Sequence, residues 1–129
     1  MLQNMATGLE NLNIYKLAVR LEKFIHRVTN EKFPSDERYR SVDQLKRSSS
    51  SVADNIAESY GRYYFKDKVR CLYIARGEAE ETKSGIARAQ GKGFISKEIA
   101  DFSCNKYAEL LRGINSYIKF ISKSYKILK

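Results

Sequence analysis

The sequence predicts an all-α fold, an antiparallel up-down-up-down four-helix bundle, and three observations carry that prediction. Apolar residues recur at steps of three and four through four long segments, about 12–32, 41–60, 66–90 and 96–128. Each junction between those segments holds a helix-breaking residue: the single proline, Pro34, then Gly61, then the pair Gly91 and Gly93. No stretch alternates apolar and polar residues as a half-buried strand does. With 129 residues the chain is expected to form one domain over 1–129, large enough to bury a core without disulfide or metal support.

Residues 1–11 are polar and without period, as expected of a frayed lead-in. In the first helix Leu12, Ile14, Leu17, Ala18, Leu21, Phe24, Ile25 and Val28 make one broad apolar face. Lys16, Arg20, Lys23 and Arg27, spaced 4, 3 and 4, form a basic stripe along another side. His26 lies between the two as a boundary residue. Phe33 precedes Pro34 and is therefore pushed out of the helical region, which stops the helix near Lys32; a short turn is expected over 35–38. Ser41 and Gln44 have the S-x-x-Q form of a capping box and mark the start of the second helix. Its apolar face is Val42, Leu45, Ser49, Val52, Ala53, Ile56 and Tyr60, and Gly61 is a natural stop.

The second helix also carries residues that helix propensity alone would not choose, four serines over 48–51 followed by Asp54 and Asn55. Ser48, Ser51, Asn55 and Glu58 fall at steps of 3, 4 and 3, so they form one polar stripe beside the apolar face. Such a stripe either lets a neighbouring helix or subunit approach closely or lines a binding groove. Packing is the favoured reading, because no strong nucleophile with a base beside it is present.

Arg62, Tyr63, Tyr64, Phe65 and Lys66 place three aromatics between two cations. Rings that stack on bases beside cations that hold phosphate suit single-stranded nucleic acid; rings that plug the end of the core are the equal alternative. The third helix runs through Val69, Leu72, Tyr73, Ala75, Ala79, Thr82, Ile86 and Ala89. Its interior Gly77 and Gly85 cost helix stability, about 1 kcal/mol each relative to alanine, which implies close approach by another helix. Arg76 with Glu80 and Glu80 with Lys83 are spaced to pair. Ser96 is placed to cap the fourth helix, whose apolar face is Ile99, Phe102, Leu110, Ile114, Tyr117, Ile118, Ile121, Tyr125 and Leu128. Arg112, Lys119, Lys123 and Lys126 form a second basic stripe.

Charge narrows the function. The chain has 24 Lys+Arg against 15 Asp+Glu, a formal +9, which favours polyanionic partners, nucleic acid first. One histidine cannot build a paired Glu-x-x-His di-iron site, one histidine and two well-separated cysteines, Cys71 and Cys104, argue against a zinc site, no Ser-His-acid set is convincing, and the glycines at 91 and 93 lack phosphate-loop spacing. A non-enzymatic protein with no cofactor and no metal is therefore expected. No apolar run approaches the roughly 18 residues of a membrane span, and the first residues lack a signal peptide's pattern, so a cytoplasmic location with no membrane partner is expected.

The run SVADNIAE at 51–58, with QLKR at 44–47 before it, Phe33-Pro34 and ERY at 37–39 upstream, and YIARGE at 73–78 and GFI at 93–95 downstream, resembles the four-helix-bundle proteins encoded in intervening sequences of bacterial 23S rRNA genes. The resemblance extends over about 12–123. It implies a homo-oligomer, a symmetric ring of five subunits in known relatives, with no established enzyme activity. Related bundles are accessory proteins of diversity-generating retroelements that contact a reverse transcriptase and nucleic acid.

Two functions are thus expected from this sequence. The first is an oligomeric bundle binding RNA or DNA mainly through phosphate contacts from Lys16, Arg20, Lys23, Arg27, Lys119, Lys123 and Lys126, with Arg47, Arg62 and Lys66 near the aromatic run. The alternative is a scaffold whose basic surface docks a protein such as a reverse transcriptase. Ser48, Ser51, Asn55 and Glu58 are expected to serve packing between helices or subunits.

Overall fold

The computed structural model describes residues 8–128, with side chains through Tyr125. Four helices account for most of them: α1 (Asn13–Lys32), α2 (Ser41–Gly61), α3 (Phe65–Gly91) and α4 (Lys97–Leu128), with no strand among the described residues. Of the lead-in expected over 1–11, residues 1–7 lie outside the described ones. Leu9–Asn11 forms a single 3₁₀ turn where fraying was expected.

Each helix packs on the next, most extensively α2 on α3, and α1 closes the ring of four against α4 with the smallest contact. Individual pairings fix the register. Between α1 and α2, Lys46 Nζ donates to Asn30 Oδ1 at 2.7 Å and Ser50 Oγ to Glu22 Oε2 at 2.8 Å. Between α3 and α4, Arg76 donates to Asn115 Oδ1 at 2.8 Å, and Cys104 Sγ lies 3.7 Å from the Lys83 carbonyl. Between α1 and α4 the rings of Phe24 and Phe102 stand 5.3 Å apart, and a Cβ added to Gly113 would meet Ile14 Cγ2 at 2.8 Å. At one end of the bundle the Phe33 and Phe94 rings, 5.3 Å apart, join the α1–α2 turn to the α3–α4 turn.

Most of the expected apolar faces are buried, with Ile25, Ile56, Leu72, Ile86, Leu110 and Ile114 wholly enclosed. Burial of side chains this size contributes about 1.5–3 kcal/mol each. Three parts of the sequence-derived faces are shifted. In α4 the first turns turn inward through Ala100, Ser103 and Tyr107, whereas Phe102 stays half exposed over the α1 flank, because small residues at 100 and 103 let the helices meet closely. In α3 Cys71 is buried and Tyr73 lies outside, its ring covered by Arg76. In α2 Ser59 takes the enclosed position near the helix end and bonds the Ile56 carbonyl at 2.8 Å, while Tyr60 is only half buried.

The helix ends also separate expectation from outcome. Phe33 leaves the helix in an extended conformation before Pro34, and Ser35–Glu37 makes the expected short turn. Ser96 Oγ accepts from the Ile99 N–H at 3.2 Å and caps α4. The chain leaves α3 through Gly93 at φ 82, with the Phe94 N–H reaching the Ala89 carbonyl and the Gly93 N–H reaching Gln90, the Schellman pattern. The capping box of Ser41 and Gln44 does not form. Ser41 Oγ donates instead to Glu37 Oε1 at 2.5 Å, and Gln44 reaches across to Glu81 at 3.4 Å, because carboxylates from the preceding turn and from α3 outcompete backbone groups for these side chains.

The two helical glycines of α3 behave differently. A Cβ on Gly85 would stand 2.7 Å from Leu45 Cδ2, so α2 does approach there, but the space beside Gly77 is open. Arg76 and Lys83 are not in the ion pairs expected with Glu80; Arg76 is held by Asn115 and the Tyr73 ring.

Candidate nucleic-acid interface

Helical spacing puts Lys16, Arg20, Lys23 and Arg27 on one exposed flank of α1, as the sequence implied. Lys16 and Arg20 edge a cleft of about 450 Å³ between α1 and α4, shared with Asn13, Leu17, Glu109 and Gly113. Arg27 lies over the Phe24 ring at 5.6 Å, which holds its guanidinium near the surface. Among the described residues the ion pairs are Glu58–Arg62, Lys97–Asp101 and Lys106–Glu109, and none involves the α1 stripe. Four like charges along about 17 Å of helix are therefore uncompensated by partners.

Lys119 and Lys123 are exposed on α4, on the stretch that continues past Gly113, where α1 begins. The Lys126 side chain lies outside the described residues. Arg62 is exposed but held by the Glu58 carboxylate. The hydrogen bond and the charge of Arg62 hold Glu58 below the usual carboxylate range, and Glu58 in turn raises the Arg62 guanidinium. Lys66 is exposed and outside every ion pair among the described residues.

Arg47 does not sit near the aromatic run. It belongs to the opposite end of α2, because one continuous helix at 1.5 Å per residue separates residues 47 and 62 by about 22 Å. There it joins Arg40, Arg88 and Lys92 around an open polar cleft of about 390 Å³ that also holds Glu37 and Asp43. This second cluster is absent from the sequence reading. Its members come from two stretches of chain, 37–47 and 88–92, and only Lys92 between two glycines and the Arg38–Arg40 pair gave any local signal. The hydrogen bond from Ser41, ahead of the charges of Lys92 and Arg40, holds the Glu37 carboxyl low, so this carboxylate remains ionised inside the cluster. Glu78, on the α3 side of α2, is pushed upward by burial and by Glu81, with Arg47 opposing.

The polar stripe of α2 divides. Ser48 is fully buried and its hydroxyl lies 2.7 Å from that of Thr82 on α3, which itself donates to the Glu78 carbonyl at 2.8 Å. Asn55 bonds within its own helix, to the Ser51 carbonyl at 2.9 Å and the Ser51 hydroxyl at 3.1 Å. Glu58 is spent on Arg62. Within one chain, Ser51, Asn55 and Glu58 thus do not bridge helices, because the serine and arginine four residues away on the same face satisfy them first.

The aromatic run resolves in the same residue-by-residue way. Tyr63 and Tyr64 are 86% and 67% exposed and meet edge to face at 5.0 Å, so neither plugs the core. Phe65 turns inward and stacks on Tyr125 at 4.6 Å. Lys68, which no sequence motif marks, donates to the Ser59 and Tyr60 carbonyls at 3.2 Å each and closes the end of α2.

The model of the 23S rRNA-intervening sequence protein family matches residues 10–116. The chain belongs to that family. A crystal structure from Bacteroides thetaiotaomicron, described as a protein of unknown function from the S23 ribosomal protein family, shares the fold. It aligns with a TM-score of 0.76 at 22% identity, over 82% of this chain and 95% of that one. No curated protein matches. No helix among the described residues is long and apolar enough to cross a membrane.

Proposed function

We propose that this protein is a non-enzymatic bundle that binds RNA or DNA through phosphate contacts and acts in association with ribosomal RNA. The observation that carries the reading is the unneutralised row Lys16, Arg20, Lys23 and Arg27, exposed along one flank of α1. Phosphates at a nucleic acid's regular spacing neutralise such a row and release counterions, a gain independent of base sequence. Membership of the 23S rRNA-intervening sequence family supports RNA as the natural polyanion. The helices run up-down-up-down and antiparallel in this reading, which the falling register of the pairs 46 with 30 and 50 with 22 supports. Copies of the chain assemble into a symmetric homo-oligomer, where the half-buried Ser51 and Asn55 meet a second copy.

Anisotropy titration of labelled RNA with the wild type and with the Lys16→Glu/Arg20→Glu/Lys23→Glu/Arg27→Glu variant tests the reading. Four lost phosphate contacts should flatten the dependence of log Kd on log salt by about 3 and weaken binding at low salt on the order of 100-fold. Equal affinities for the two proteins, or no binding by the wild type, would overturn it. Asn55→Leu, followed by light scattering, should lower the assembly state while the bundle stays folded.

A further inference from the structure

The end of the bundle where α2 gives way to α3 has a cleft of about 500 Å³ that the phosphate-binding reading does not use. Its volume lies within the roughly 300–1,000 Å³ of clefts that take small planar ligands. Tyr63, Tyr64 and Phe65 form one side, Tyr117 and Ile121 of α4 the other, and Lys68 reaches its edge. The far wall exists because α4 continues beyond Gly113, the point at which α1 begins. Phe65 is stacked on Tyr125 at 4.6 Å at the inner side of the cleft, and the Tyr117 ring lies nearly parallel to that of Phe120, 22° apart.

Charge selects the occupant. No carboxylate among the described residues lines the cleft, Lys66 follows the tyrosines while Arg62 is held by Glu58, and the Lys68 ammonium has used two of its three donors on carbonyls, leaving one for an anion. Lys119 and Lys123, two residues either side of Ile121, project from the opposite face of α4 and do not contribute. The exposed rings of Tyr63 and Tyr64, with Lys66 and Lys68 beside them and no carboxylate among the described residues of the lining, match an unpaired base attached to its phosphate; a base inside a duplex offers no face to stack.

We propose that this cleft is a base-stacking subsite, so that the protein prefers single-stranded over duplex nucleic acid. The proposal rests on the phosphate-binding reading and adds to it the part of the ligand that is recognised. Tyr63 and Tyr64 insert against unpaired bases while Lys66 and Lys68 hold the adjoining phosphates. Selection is for strandedness and weakly for sequence, because every base has a face to stack.

The test uses the full chain and three labelled probes at one salt concentration: a single-stranded oligonucleotide of about 12 nucleotides, the same strand in duplex, and an abasic strand with the same phosphates. Tyr63→Ala/Tyr64→Ala should weaken binding of the single strand roughly tenfold or more and leave duplex and abasic binding unchanged. The α1 charge-reversal variant should weaken all three. Equal binding of the abasic and normal strands by the wild type, or an unaltered single-strand affinity in the tyrosine variant, would overturn the subsite and spare the phosphate reading. Binding of none of the probes by the wild type would overturn both. If the tyrosine variant instead loses self-association while keeping single-strand affinity, the cleft is a contact between copies and the subsite is overturned. Tyr63→Phe/Tyr64→Phe, which keeps the rings, should restore single-strand binding.

Discussion

The two ends of the bundle are built from similar residues and differ in chemistry. At one end Arg38, Tyr39 and Arg40 follow each other; at the other Arg62, Tyr63 and Tyr64 do. Arg38 lies over its neighbour's ring at 5.3 Å, and the cations nearby, Arg40, Arg47, Arg88 and Lys92, share their cleft with Glu37 and Asp43. Tyr63 and Tyr64 pair with each other instead, Arg62 is drawn away by Glu58, and an aromatic wall from α4 faces them. The difference comes from helix length. At 32 residues α4 outruns the 20 of α1 and walls only the end where α1 starts. Residue type therefore says less about a surface than what stands opposite it: the first end is suited to charge, the second to a ring.

That contrast can be broken most severely by charge reversal at the polar end. Arg40→Glu/Arg47→Glu/Arg88→Glu/Lys92→Glu should weaken single-stranded and duplex binding by the same factor, about 30-fold at low salt, as measured by anisotropy. A loss confined to single strands would show that the two ends do not divide the work as described. The seam between the ends should behave as a passive spacer. Thr82→Val deletes the hydroxyl that meets Ser48 in full burial and should cost about 1–3 kcal/mol in urea unfolding, with both binding activities intact at temperatures where the variant is folded.

The sequence carried the elements well and the surfaces poorly. Pro34, Ser96 and the regular apolar steps of α1 act locally, and each produced the structure its chemistry implies. The α4 register did not read through, because Phe102 is the larger apolar residue yet Ala100 and Ser103 fit the tighter space. Gly77 and Gly85 look alike in one dimension and differ only in whether Leu45 stands opposite. The α1 stripe was legible since one helix presents it. The cluster around Arg47 was not, because the end of α3 must pack against the start of α2 before Arg88 and Lys92 meet Arg40 and Arg47.

Smaller effects sharpen the comparison further. Glu58→Gln releases Arg62 at the aromatic end and should tighten nucleic-acid binding about threefold, read by the same titration, whereas Asp43→Asn should act only at the polar end. The smallest effect lies inside the bundle. The Tyr107 hydroxyl is buried with no hydrogen-bond partner among the described residues, and burial raises its pKa well above the ordinary tyrosine value. The folded chain therefore keeps this proton after the unfolded chain has lost it. Its contribution to stability is complete below about pH 10 and falls as pH rises beyond that. Tyr107→Phe should leave neutral-pH stability within about 1 kcal/mol and reduce the alkaline loss, as followed by urea unfolding at stepped pH.

The most direct test of phosphate-dominated binding is the salt dependence of wild-type affinity for a single-stranded RNA. Six or more phosphate contacts give a slope of log association constant against log salt of about −4 or steeper, and that is the expected result. A slope near zero, or affinity too weak to detect at low salt, would contradict it.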